Sequence, residues 1–258
     1  MDEAVINTVY SFFLITIRFS GLFLTTPFFS SLMIPIQVKA GLTLLCSLIL
    51  FPIIFAEELI PFPTSLLKLV FQVGNELLVG LVLGFTVLLT FTAFQLAGQF
   101  LDIRMGFALV NIVDPLTGSN APLIGQFKNI LAILILLLIN GHHQIIRALV
   151  KSFQILPITK PVLSHQLLEY LFRVGGDIFI IAFRLSLPII ATLFVVDILF
   201  GFLARTVPQM NVFMLGFPIK ILVGFLMLFL SIPLIVNLLI EIIEMMYQHL
   251  YKILELMK

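Results

Sequence analysis

Residues 218–240 read PIKILVGFLMLFLSIPLIVNLLI, a continuous apolar run whose one charge is Lys220. A helix needs about 20 predominantly apolar residues to cross a bilayer, and this stretch supplies them. In hydrocarbon every backbone N–H and C=O must be paired within the protein, so only helices and closed barrels can span. A barrel is built from short segments of alternating polarity, whereas this run is apolar from end to end. It is read as a membrane-spanning helix, and that reading sets the fold class.

Working outward, five more runs of the same kind occur at roughly 5–31, 40–56, 68–94, 123–140 and 176–203. Over the 258 residues, 61% are hydrophobic and 10% charged, against about half and about a quarter in a soluble domain. A soluble chain of this length would lack the polar residues needed to face water. The expected fold is an all-α integral membrane protein, a single domain over 1–258. It has about six long, partly broken hydrophobic helices and amphipathic connecting helices. Arg18, Glu76, Asp177, Arg184 and Asp197 interrupt the runs, and Pro27, Pro35, Pro52, Pro188 and Pro233 lie within or beside them. Proline in a helix interior removes a backbone bond and kinks the helix, so broken, protein-embedded helices are expected.

The connections carry their own signals. Residues 95–122 form a long stretch rich in Gly, Asn, Asp and Pro and are expected to be irregular. Residues 141–174 hold two amphipathic patterns. In the first, Ile145, Ile146, Leu149, Val150, Phe153 and Leu156 share a face opposite Arg147, Lys151 and Gln154. In the second, His165, Glu169 and Arg173 oppose Leu168, Leu171 and Phe172. The tail, 241–258, aligns Glu241, Glu244, Gln248, Lys252 and Glu255 on one side. Such helices lie at a membrane surface or dock on partner helices. The basic residues of 141–174 and of the tail favour a cytoplasmic C-terminus. The acidic start, Met1-Asp2-Glu3, lacks the positive region of a signal peptide, so the first run is expected to remain in the mature protein.

Charges inside apolar runs are the first candidate sites, since a charge at bilayer centre costs at least about 2.5–3.5 kcal/mol. Glu76, Gly80 and Gly84 fall at i, i+4 and i+8 on one helix face, and Gly80 to Gly84 is a G-x-x-x-G pattern that admits a close helix approach. Glu76 is read either at a subunit contact or channel wall, or in an internal ion pair with Arg18 or Arg184. The second candidate is the run Met105, Gly106, Phe107, Ala108, Leu109, Val110, Asn111, Ile112 and Val113, followed by Asp114 and Pro115. It is too apolar for a solvated linker. It suits either a re-entrant packing element or a gate, because hydrophobic constrictions exclude water and ions.

Other function classes find little support. A net charge of +1 gives no case for nucleic acid, and the single Cys46 forbids an intrachain disulfide. No P-loop or dinucleotide fingerprint occurs, and His142-His143 lacks H-E-x-x-H spacing. No catalytic residue, cofactor or metal is expected. A secondary transporter relaying ions through Glu76, Arg184 and Asp197 would predict inverted repeats, and none is evident.

Several local patterns then converge. The segment from Arg205 through Pro208, Gln209, Asn211, Phe213, Gly216 and Pro218 to Lys220 resembles the signature of the FliR/SctT family of type III secretion export-gate subunits. Upstream, Pro188, Asp197 and Gly201 agree with it. Gly74-Asn75-Glu76 with Gly80 and Gly84 is similar to the family's G-x-E segment, and Ala97-Gly98-Gln99 through Asp102, Gly106 and Asp114-Pro115 to its central loop. Arg18, Gly21, Pro27-Phe28, Pro35, Lys39 and Gly41 match the N-terminal pattern; Arg104 departs, where many members carry glutamine. The resemblance implies a subunit of the flagellar export gate in the bacterial inner membrane, at the basal body. FliP-like and FliQ-like subunits would join it in a helical channel crossed by unfolded flagellar proteins, and an FlhB-like specificity subunit would meet its C-terminal side. It also implies that roughly 104–122 helps plug the closed channel; an apolar loop that seals a pore must move aside for a passing chain, and Gly106 and Gly118 are candidate hinges for that motion. The equivalent subunit of a virulence injectisome is the alternative within the family.

Overall fold

A computed structural model describes residues 3–31, 34–54, 59–107, 122–158, 164–207, 209 and 211–258. Among them the regular structure is entirely helical. In chain order the helices are α1 (Glu3–Thr25), α2 (Pro27–Ser30), α3 (Ile36–Ile54), α4 (Leu66–Met105), α5 (Leu123–Leu138), α6 (Gly141–Ile155), α7 (His165–Thr206) and α8 (Val212–Leu256). By length and apolarity α1, α3, α4, α7 and α8 are able to cross a membrane, and α5 with α6 make a sixth crossing if counted as one broken span. The all-helical membrane fold with five to six long apolar helices is therefore the one the sequence predicts.

The breaks have local causes. Thr26, between α1 and α2, holds ψ at 123°, the extended conformation that a residue preceding proline is pushed into. Asn140, between α5 and α6, sits at φ 56°, ψ 30°, a left-handed geometry that asparagine tolerates better than most residues. Pro52, Pro188, Pro218 and Pro233 lie inside helices.

Three expectations are corrected. Residues 95–105 are helical, the last turns of α4, and not part of an irregular loop. Phe94, Ala97, Leu101 and Met105 recur at helical spacing with no exposed surface, so burial of this stripe carries the helix through Gly98. The pattern at 165–173 is the start of α7, which runs on through Gly175-Gly176; its buried residues are Leu167 and Val174, while Leu168 and Phe172 are exposed. The tail is the end of α8. Its polar side is exposed as expected, but Met246, Leu250, Ile253, Leu254 and Met257 are buried within the chain.

The chain forms two compact units: residues 1–89, 140–175 and 244–258 in the first, and 90–139 and 176–243 in the second. The core of the first includes Leu14, Ile15, Phe19, Leu22, Val79, Leu83, Ile145 and Leu149. In the second, Leu101, Met105, Ile124, Ile189, Leu193 and Leu228 make a core flanked by Phe107, Ile190, Val223 and Met227. α3 and α7 leave large apolar side chains exposed, among them Leu45, Leu48, Ile49, Phe179, Ile180 and Phe194.

Candidate functional site

In the first unit the glycines come before the charges. A Cβ added to Gly80 would collide with the Arg18 carbonyl, and one on Gly21 would lie 2.7 Å from the Leu77 carbonyl oxygen. One on Gly84 would meet the Thr25 hydroxyl, and would lie 2.8 Å from the Leu22 carbonyl oxygen. Only hydrogen fits at these positions, so α1 and α4 touch backbone to backbone, as small residues permit. That approach brings Arg18 against Glu76.

Arg18 Nε donates to Glu76 Oε2 at 2.6 Å, and Nη1 to Ser152 Oγ at 2.9 Å. Nη2 donates to the Leu156 carbonyl at 3.4 Å, and the guanidinium carbon lies 4.0 Å above the Phe153 ring. The two charged side chains are 1% and 2% exposed. A cation so enclosed is tolerable only when its donors are spent and its countercharge is at hand. Of the two internal partners expected for Glu76, Arg18 is the one present. Farther along the same helix pair, Tyr10 donates its hydroxyl proton to Gln72 Oε1.

The second unit holds the start of the apolar run. Met105 ends α4, and Gly106 follows at φ 91°, a backbone conformation that favours glycine. A Cβ on Gly106 would lie 2.5 Å from the Phe217 ring, and one on Gly224 would lie 2.6 Å from Met105. Phe107 makes an edge contact with Phe225, ring centroids 6.0 Å apart. Residues 105–107 are thus seated on α8. Ala108, Leu109, Val110, Asn111, Ile112, Val113, Asp114, Pro115 and Gly118 lie outside the described residues.

α5 begins beside α4. A Cβ on Gly98 would run into the backbone of Gly125. Asp102 accepts hydrogen bonds from the Ile124 amide at 3.1 and 3.2 Å and from the Gly125 amide at 3.3 Å. The helix start is preceded by Pro122, which caps nothing with its side chain; the Asp102 carboxylate fills that role from another helix. Negative charge suits the positive end of a helix dipole. Lys128 is 2% exposed and donates to the Leu185 carbonyl of α7 at 3.2 Å.

Arg205 lies in the last turn of α7, Gln209 and Asn211 in the connection that follows, and Gly216, Pro218 and Lys220 in the first turns of α8; Pro208 and the Phe213 side chain lie outside the described residues. Asn211 Oδ1 accepts from the Met214 amide at 3.2 Å, an N-cap for α8. Lys220 pairs with Asp197 across the two helices, both partly exposed. Arg184 pairs with Glu241 at 3.9 Å, with 65% and 56% of those side chains exposed. The structure therefore joins Glu76, Gly80 and Gly84 to Arg18 in one site, and Asp197 to Lys220 in another. Glu76, Arg184 and Asp197 each have a different partner. Sequence reasoning passed over Lys128, a charge inside an apolar run like the others, and weighed Asp102 only as part of a pattern.

Residues 9–246 match the family described as bacterial export proteins, family 1. The flagellar biosynthetic protein FliR of Bacillus subtilis (strain 168) is 37% identical over 229 residues, covering 88% of this chain and 87% of the relative. FliR of Pectobacterium carotovorum subsp. carotovorum is 38% identical over 231 residues, 89% and 87% of the two chains. FliR of Escherichia coli (strain K12) is 32% identical over 219 residues, 85% and 83%.

Proposed function

We propose, from the premise that this chain belongs to the bacterial export proteins, family 1, that it is a membrane subunit of the flagellar protein-export apparatus. The observation that carries the proposal is similarity to FliR proteins along most of the chain, on a fold with five to six helices able to span a membrane. In finer detail, the chain forms part of the inner-membrane channel for unfolded flagellar proteins, at the basal body. Its partners are FliP-like and FliQ-like subunits and an FlhB-like specificity subunit. It performs no chemistry and needs no cofactor or metal; its work is to shape and close a path.

The closing element in this reading is the apolar run from Met105 to Val113, continued by Asp114 and Pro115. Support comes from its first residues, which are apolar, seated on α8 and followed by more of the same in sequence. An apolar constriction excludes water and ions when closed, and Gly106 with Gly118 would serve as hinges when a chain passes. The transporter reading is not carried forward, since Glu76, Arg184 and Asp197 belong to three separate ion pairs. The flagellar reading is preferred to the injectisome one because the similar proteins quoted above are flagellar.

Two measurements test the proposal. A tagged chain purified from its own cells should bring down the products of its neighbouring genes as one assembly of defined mass; a stable lone chain refutes it. Replacing 108–121 with a short Gly/Ser linker should raise ion leakage through the assembled gate. Unchanged conductance removes the closing role from the loop and leaves the subunit assignment standing.

A further inference from the structure

We infer that the groove between α1 and the start of α3 holds an anionic phospholipid, with an acyl chain along its apolar walls and the phosphate on the Lys39 ammonium. Such a site lies wholly in the first unit and is independent of any closing role for residues 105–115.

α3 is built inside out. Its buried residues are Thr43 and Ser47, whose hydroxyls donate one turn back, to the Lys39 and Thr43 carbonyls, at 2.8 Å each. Its outer face shows Val38, Leu42, Leu45, Leu48 and Ile49. Hydrocarbon suits that arrangement, because lipid tails are as apolar as leucine and nothing is gained by hiding it. The 19 residues of α3 extend about 28 Å at helical rise, close to the roughly 30 Å of a hydrocarbon core. Lys39, in the first turn, then stands at the level of the headgroups.

The groove beside it is shaped for a chain. Phe23 and Leu24 of α1, Ile34 and Pro35, and Ile36 and Ala40 of α3 make apolar walls around about 520 Å³, within the roughly 300–1,000 Å³ of ligand pockets. The hydroxyls lining it have spent their protons within their own helices: Ser20 donates to the Ile17 carbonyl at 2.7 Å, and Thr43 as above. Lys39 differs. It gives one proton to the Ser30 carbonyl at 3.0 Å, and an ammonium carries three. Among the described residues no carboxylate pairs with it. A cation with donors to spare on the wall of an apolar groove is matched by a phosphate that carries a hydrocarbon tail. A partner's carboxylate would answer the charge without filling the groove; a phospholipid does both. A zwitterionic headgroup brings its own cation, so the uncompensated charge favours an anionic one.

The test uses the full chain in its assembled complex, in phosphatidylcholine nanodiscs doped with a small fraction of phosphatidylglycerol bearing a diazirine in one acyl chain. A second set carries the same label on phosphatidylcholine. Cross-links near Phe23 and Ala40 are located by fragment mass spectrometry and counted relative to those near Leu48, on the outer face. Labelled phosphatidylglycerol should be enriched at the groove in wild type and Lys39→Arg. Enrichment should fall about fivefold in Lys39→Gln, the factor that one lysine beside an anionic headgroup contributes. Labelled phosphatidylcholine should show little enrichment. Ala40→Phe, which fills the groove from an exposed position, should lose enrichment of both; if it does not assemble, the two Lys39 variants decide.

Equal enrichment in wild type and Lys39→Gln takes the phosphate off Lys39 and overturns the proposal, as does equal enrichment of the two headgroups. A groove left unlabelled beside a labelled Leu48 gives the site to a partner subunit and overturns lipid as its occupant.

Discussion

Arg18–Glu76 in the first unit and Arg184–Glu241 in the second are both Arg–Glu pairs drawn from long apolar helices, and they have opposite settings. The first is sealed, with three further contacts on the guanidinium from Ser152, Phe153 and Leu156. The second is loose and exposed, at 3.9 Å, on a surface that also shows Ile180, Phe183 and Leu187. A charge in an apolar run is thus one signal with two meanings. Where glycine lets a neighbouring backbone come close, the charge becomes an internal rivet. Where the helix shows a bare face, its solvation is left to whatever surrounds the chain. Hydrocarbon alone is a poor choice there, given about 2.5–3.5 kcal/mol or more per charge at bilayer depth.

The largest effect should come from opening the rivet. Glu76→Ala leaves Arg18 buried beside no countercharge, and removing one partner of such a pair costs about 3–5 kcal/mol. The expected outcome is a large drop in the thermal stability of the detergent-solubilised complex, or failure to recover it. The double change Arg18→Met with Glu76→Leu should restore much of that loss, because an apolar pair avoids the desolvation cost. A single Glu76→Ala variant as stable as wild type would erase the contrast between the two pairs.

The glycines sharpen the same contrast at a smaller scale. Gly80→Ala in the first unit and Gly98→Ala in the second each drive a Cβ into facing backbone, and overpacking of this kind costs typically about 1–3 kcal/mol. Gly176→Ala meets nothing within 4 Å and should stabilise by up to about 1 kcal/mol, the helix propensity gained. Three melting curves check all of this. Equal shifts at all three positions would mean that the close helix approaches are not what holds either unit.

Much of the molecule was readable in advance, for physical reasons that differ by region. Apolar runs of 20 residues or more fix helix and membrane together, because lipid leaves the backbone no alternative. Glu76, Gly80 and Gly84, spaced i, i+4 and i+8, lie where α4 meets α1, and the polar stripe of the tail lies on its exposed side. Helix ends were harder. Gly98 read as loop chemistry, yet it is a packing position in mid-helix; glycine serves both uses, and only the partner backbone distinguishes them. The apolar face expected at Leu168 and Phe172 was wrong because α7 exposes apolar side chains widely, so amphipathicity does not say which side is buried. Asp102 and Lys128 were missed as sites because their partners are backbone atoms of Ile124 and Leu185, which leave no mark in a sequence of side chains.

The smallest effect in the isolated chain is the one that tests what the loose pair is for. Exposed ion pairs contribute about 0–1 kcal/mol, so Arg184→Gln should barely move the melting of the purified chain alone. The assembled gate is a different solvent. If a partner subunit covers this face, Arg184 and Glu241 are desolvated on assembly and their mutual contact, or a new one to the partner, becomes costly to lose. Arg184→Gln should then reduce recovery of the complex while leaving the lone chain unchanged, and Arg184→Gln with Glu241→Gln should recover part of it. Equal, negligible effects in both states would place the pair in water after assembly. The exposed half of the comparison would then be a solvated surface, with no interface covering it.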